Sequence, residues 1–356
     1  MDKASFFILN VFLNSLLAFF TVAFLVEGII FLFRLPQGRV AAALRMIPIL
    51  KLPLDLFLYD FSRWSYAQGV NPLNCEEGTR TLSILFGWIN YVKDRLLWPI
   101  NSCIQLTVSG DLTFTLADVI GYTIHPVILN IFSLLFICFT AVFVVRRLFL
   151  YYGSLIALES LAKKSKPLYR KMRNSVLSSC VEKRGVQVLT FPTLTGSPFV
   201  AGLISLVIYI PERLSKELSR KEYEAVLAHE IEHVRYKDSL VRLILDFIES
   251  IFWWVPTKWL RYRIEEGQEM GCDLHSKTYG VDSVDLASAL CKSAKYSVST
   301  PDRIFVHHFT KNTTLKRVSI ILYPAAIRFK KVRVSLTCLA VGIAFFVVFL
   351  GRFWIF

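Results

Sequence analysis

The chain has 356 residues, of which 54% are hydrophobic, with 29 phenylalanines, a mean hydropathy of +0.50 and a formal net charge of +14. So apolar a composition argues against an ordinary soluble globular protein. The basic residues form no isolated basic domain and no recognisable binding motif, which argues against direct nucleic-acid binding as the reason for the charge.

Residues 6–33 form a mostly apolar stretch long enough to cross a bilayer with some tilt, and no small-residue cleavage site follows it, so an anchor is expected rather than a signal peptide. Residues 40–58 are apolar but interrupted by Arg45, Pro48, Lys51 and Pro53. They are expected to form a second span, with a re-entrant or interfacial segment as the alternative. Residues 59–118 are mixed in composition and predict an extracytoplasmic loop with short helices, one of them over 82–98; Cys75 and Cys103 share this loop and could bridge in an oxidising compartment. None of the seven cysteines stands in a Cys-x-x-Cys pair, so no zinc knuckle is expected.

Residues 119–145 predict a strong span, with His125-Pro126 near its outer end, and residues 334–350 predict the last one. Arg34, Arg39, Arg45, Arg146, Arg147, Arg328, Lys330, Lys331 and Arg333 flank these stretches. An excess of Lys and Arg marks the cytoplasmic side, so residues 146–333 face the cytoplasm whether or not 40–58 crosses. The expectation is a multi-pass protein of the cell (inner) membrane with three to four spans, and a polar region of one domain's size inserted before the last of them.

Within that region, 154–184 has a basic, helical pattern, and 185–214 alternates β-branched runs with Thr-Gly-Ser-Pro and Ala-Gly turns, predicting a small antiparallel sheet with a hairpin. The strand Leu206–Ile210 is the expected edge that holds a substrate as an added strand, with an ordinary internal strand as the alternative. Residues 239–253 predict an amphipathic helix whose stripe is Leu240, Leu243, Ile244, Phe247, Ile248 and Ile251; Arg242, Asp246 and Glu249 on its other face argue against a span.

Between sheet and amphipathic helix lies His229-Glu230-Ile231-Glu232-His233, an H-E-x-x-H pattern. On a helix, residues four apart share a face, so His229 and His233 can grip one metal ion while Glu230 takes a proton from a water beside it. A catalytic zinc site needs a third protein ligand. Glu269 is the expected one, far enough along for the chain to turn back, with Asp273 one turn later to accept the ring N–H of a ligand histidine. Glu265 and His275 are the rival third ligands. Cys272 is expected to be a buried packing residue rather than an inhibitory ligand, and Tyr279 and His275 are candidate oxyanion donors.

The runs TGSPFVAGLISLVIYIPERL, VLAHEIEHVRYKD, IFWWVPTKW and EMGCD resemble the BlaR/MecR-type family of membrane zinc metallopeptidases. The resemblance implies an α+β gluzincin-like zinc metalloprotease domain, with Zn2+ held by His229, His233 and Glu269, Glu230 as general base, and Asp238 and Asp273 as supporting acids. It further implies a protein substrate, a transcriptional repressor or related regulator, cleaved in transmembrane signalling. Val255 stands where many relatives have Asn before Pro256. The sequence ends at Phe356, where antibiotic-sensing members continue into a penicillin-binding sensor domain, so a member without that sensor is expected. Two other readings share the H-E-x-x-H pattern: a quality-control protease like the HtpX and CAAX-protease group, and a non-catalytic receptor that keeps zinc for structure. The Cys-Asp pair after Glu269 favours the first reading over the quality-control protease, and the receptor reading stays open. Sequence fixes neither the oligomeric state nor the activating signal.

Overall fold

The computed structural model describes residues 3–57, 125–168, 174–192, 197–203, 205–297 and 311–323, together with five short strands between 81 and 115. The segment 334–350, His307-His308, Cys75 and Cys103 lie outside the described residues.

Helix α1 (Lys3–Leu32) and helix α2 (Arg39–Phe57) form an N-terminal hairpin. Two described helices are long and apolar enough to cross a membrane, α1 over Val11–Leu32 and α3 (Pro126–Lys164). Helix α2 is not among them, since Arg39, Arg45, Lys51 and Asp55 break its apolar run. Arg45 and Lys51 are buried. Arg45 is fully buried and donates to Glu27 (2.6 Å) and Gln37 (2.7 Å), so it is an internal tie between the two helices rather than a membrane-flanking charge.

The loop region differs from its expected helices. Where described, it is β-structure: β1 (Thr81–Ile84), β4 (Ile104–Val108) and β5 (Leu112–Thr115) form an antiparallel sheet, and β2 (Tyr91–Val92) pairs with β3 (Arg95–Leu96). The β-branched and aromatic residues over 81–96 suit strands better than the helix expected from apolar spacing alone.

Helix α3 starts later than predicted and runs further. His125 caps it by accepting from the Val127 amide, Pro126 occupies its first position, and it continues through Arg146-Arg147 to Lys164. At 1.5 Å per residue it is a rod of roughly 58 Å, about twice the hydrocarbon thickness. Only 17% of its most apolar window is buried, and Val127 through Ile156 expose a long apolar side. The Trp253-Trp254 pair fastens the following domain to this rod. Trp253 Nε1 donates to Thr140 (3.1 Å), Trp254 Nε1 to Ser15 of α1 (2.8 Å), and the indoles lie against Phe12, Phe136 and Phe143.

The sheet of the polar region has order β6 (Lys166–Pro167), β7 (Gln187–Phe191), β9 (Val207–Pro211), β8 (Phe199–Ala201). It is mixed rather than antiparallel: β7 and β9 are parallel, and β8 and β9 form the antiparallel hairpin. Gly202, at φ +104°, allows that hairpin, because a Cβ there would run into the Ser205 carbonyl. In this order the 206–210 strand is internal, and β6 and β8 are the edges.

Helices α4 (Ser175–Lys183) and α5 (Glu212–Glu217) flank the sheet, and α6 (Arg220–Tyr236) crosses it. Tyr223, Val226, Leu227, Ile231 and Val234 of α6 pack on Leu177, Ile208, Ile210 and Leu214. Then come α7 (Asp238–Ile251), α8 (Lys258–Ser276), α9 (Ser283–Ser297) and α10 (Lys311–Leu322).

Helix α6 begins with a capping box. Ser219 accepts from the Glu222 amide, and Glu222 accepts from the Ser219 amide (2.7 Å). Burial alone would raise the Glu222 pKa, but Lys292 (2.7 Å), Ser288 and Ser219 donate to its carboxylate and hold it at about 2. An unfolded Glu titrates near about 4.3. The stabilisation is therefore present above that pH and is lost as pH falls through about 2. Glu222→Gln should cost about 1–3 kcal/mol at neutral pH. The thermal midpoints of variant and parent should converge as the pH drops from 5 to 2, and a constant gap would show that the charge is not the cause.

Candidate metal centre

Helix α6 places His229 and His233 one turn apart, with their Nε2 atoms 3.2 Å from each other. Helix α8 returns alongside and brings Glu269 to both: Oε2 lies 3.4 Å from His229 Nε2, and Oε1 lies 3.5 Å from His233 Nε2. Three donors bound at about 2.0–2.1 Å around a tetrahedral ion stand about 3.3 Å apart. The two histidine nitrogens stand near that spacing, and each has a Glu269 oxygen near it, a different oxygen for each ring. Glu269 Oε2 is buried between His229 Nε2 and the Arg317 guanidinium, which lies 3.0 Å away.

Each histidine is backed by an acid. His233 Nδ1 pairs with Asp238 Oδ2 at 2.6 Å, and His229 Nδ1 lies 2.9 Å from Asp273 Oδ1. The sharp α6–α7 turn makes the first pairing possible. Lys237 adopts the left-handed conformation (φ 52°), ending α6 and returning Asp238 onto the histidine five residues before it. Such partners fix the ring tautomer and leave Nε2 free to ligate.

The expected rivals lie elsewhere. Glu265 accepts from Arg261 (2.7 Å). His275 pairs through Nδ1 with the Gly271 carbonyl (2.8 Å), and the Tyr279 hydroxyl donates to Glu232 (2.6 Å), so neither candidate oxyanion donor faces the centre. Cys272 comes closer. Its Sγ and the two histidines form a set of potential donors within 4.8 Å of one another. The thiol is fully buried, burial pushes its pKa well up, and Arg39 Nη2 lies 2.8 Å from the sulfur. Glu269 brings one oxygen within 3.5 Å of each ring.

Arg317, on α10, lies at the centre and had no sequence signature. Its guanidinium donates to both Asp273 oxygens (2.6 and 2.7 Å) and approaches Glu269 Oε2 at 3.0 Å, with 3% of the side chain exposed. Burial would raise the Glu269 and Asp273 pKa values, but Arg317 and the histidines hold both below the usual carboxylate range. Burial opposes charge on His229, and the Asp273 and Glu269 carboxylates override it, lifting its pKa to about 10. A metal held by this histidine would have to displace that proton, so its affinity would weaken as pH falls.

Glu230 is buried, and desolvation raises its pKa. With His229, His233, Glu269 and Arg317 it lines a cavity of about 570 Å³. The opposite walls are Leu150, Tyr151, Leu155 and Leu158 of α3 and the edge strand β8. The same long rod that carries the apolar segment therefore also borders this cavity.

Residues 107–279 match the model of the BlaR1 peptidase M56 family, just under half of the chain. That match takes in His229, Glu230, His233, Asp238, Glu269 and Asp273, and leaves out Arg39 and Arg317. The regulatory protein BlaR1 of Bacillus licheniformis is 31% identical over 87 residues, which cover 24% of this chain and 14% of that protein.

Proposed function

Because the chain belongs to the BlaR/MecR-type family through residues 107–279, we propose that it is a membrane-embedded zinc endopeptidase that cuts a cytoplasmic regulatory protein. One observation carries the chemistry: His229, His233 and Glu269 converge within about 3.5 Å of one another, and the carboxyl of Glu230 lines the same cavity.

His229, His233 and Glu269 hold the ion, and Asp273 and Asp238 orient the two rings. Zinc, when bound, supplies Lewis acidity toward water and the scissile carbonyl. Glu230 accepts a proton from the attacking water and delivers it to the leaving amine, a task suited to a carboxyl whose pKa burial has raised. The outer edge of β8, rather than the internal β9, pairs with the substrate backbone, since it is the sheet edge that borders the cavity. Supporting a place at the membrane surface, Arg147 of α3 pairs with Asp246 of α7 beside the cavity, just past the apolar segment. The name of the BlaR1 relative supports a regulatory role, and the basic flanks support a cytoplasmic domain.

The test is metal removal. The chain in lipid nanodiscs should carry about one zinc per polypeptide, lose cleavage of a reporter protein on treatment with a strong chelator, and regain it with added zinc. His233→Ala should hold no zinc and stay inactive. Undiminished cleavage by a metal-stripped sample would overturn the proposal, and full zinc occupancy in His233→Ala would overturn the ligand set.

A further inference from the structure

We infer that Arg39, on the N-terminal hairpin, is a positioning residue for the metal ligand His233, acting through Asp238, so that a complete metal centre requires α2 to be seated on α8. The inference rests on the metallopeptidase reading and extends it to the control of metal affinity.

Arg39 is the first residue of α2 and lies far outside the family match. Its guanidinium takes both oxygens of Asp238, Nη1 to Oδ1 at 2.5 Å and Nη2 to Oδ2 at 2.7 Å. Asp238 Oδ2 is the same atom that meets His233 Nδ1. A carboxylate exposed by only 7% and asked to hold an imidazole needs its charge met and its plane fixed, and a two-pronged guanidinium does both. Further contacts hold Arg39 in place. Its guanidinium carbon sits 4.3 Å over the Tyr236 ring, and Nη2 meets Cys272.

The seat for this arginine is built into α8. Gly267 and Gly271 are four apart and present one bare face to α2, flanking the ligand Glu269. A Cβ on Gly267 would lie 3.0 Å from both the Gly38 carbonyl and the Ala42 Cβ; one on Gly271 would overlap Arg39 Cγ. One helix thus offers a metal ligand to the centre and a glycine groove to α2. Displacing α2 would withdraw Arg39 from Asp238, loosen the His233 ring and weaken the grip on the ion.

Loss of an outer partner of a metal-bound histidine typically lowers metal affinity 10–100-fold. The experiment measures zinc dissociation constants by chelator competition, and visible spectra of the cobalt-substituted protein, in full-length chain in nanodiscs. Arg39→Met should bind zinc about 10–100-fold more weakly and change the cobalt spectrum, with Arg39→Lys in between because an ammonium meets only part of the carboxylate. The Arg39→Met and Asp238→Asn effects should not multiply when combined, as expected for two residues on one path. Gly271→Ala, which keeps the guanidinium and obstructs its seat, should also weaken binding, and supplies the same test if Arg39→Met fails to fold. Parental zinc affinity and cobalt spectrum in Arg39→Met or Gly271→Ala, or fully multiplicative effects with Asp238→Asn, would overturn the inference. A parent that binds no zinc would instead overturn the metallopeptidase reading itself.

Discussion

Glu230→Gln should lower peptide hydrolysis by about 10²–10⁴-fold while leaving zinc content, fold and substrate binding close to those of the parent. The substitution keeps the shape of a buried side chain that lines the cavity but removes its ability to take a proton. Glu230 is not placed as a ligand: the converging atoms belong to His229, His233 and Glu269. The pH–rate profile gives a second readout. Burial raises the Glu230 pKa, so the parent should lose activity on the acid side as that carboxylate takes up its proton, and the residual rate of the variant should lack that limb. Because the variant still holds substrate, it also serves as a trap in the native host. One regulatory protein in the trap would support signalling, whereas a broad set of membrane proteins would support quality control. Equal proteolysis by variant and parent would remove Glu230 from the reaction.

The parts of this molecule that were legible in the sequence are those governed by local spacing. His229 and His233 share a helical face because four residues make about one turn, and Glu269 and Asp273 share another for the same reason. The amphipathic α7 was equally plain, because its stripe and its charges alternate at the helical period. What was not legible depends on which segments meet. Leu206–Ile210 has the same β-branched character at an edge as in the interior, and only the pairing of β7 and β8 on its two sides makes it internal. Arg39 and Arg45 looked like membrane-flanking charges because a positive residue beside an apolar run carries no mark of its partner, yet Asp238 and Glu27 claim them. The glycines of α8 could have given a hint. Two glycines four apart in a helix otherwise able to form without them imply a close neighbour, though not which one. The apolar run marks where the expected span ends at 145, but not how far its helix continues: α3 runs on to Lys164 and into the cavity wall, with Arg147 paired to Asp246.

Arg317→Met should be among the most destabilising single substitutions in the polar region, at about 3–5 kcal/mol, and bound zinc should recover part of the loss. The arginine is exposed by only 3% and stands between two buried acids, making two hydrogen bonds to Asp273 and an ion pair with Glu269. Methionine fills most of the volume but leaves both carboxylates with the histidines as their main compensation. Without the metal, Asp273 and Glu269 would rise in pKa, since the guanidinium is the leading influence holding each of them down against burial. With the metal, Glu269 regains a positive partner, so the gap between variant and parent should shrink. Asp273 gains no such partner directly, so the recovery should be incomplete. Thermal midpoints of parent and variant, each stripped and zinc-loaded in nanodiscs, measure this as a four-way cycle. A variant as stable as the parent when stripped would mean that the two carboxylates do not need this arginine. A deficit unaffected by zinc would mean that Glu269 does not hold the ion.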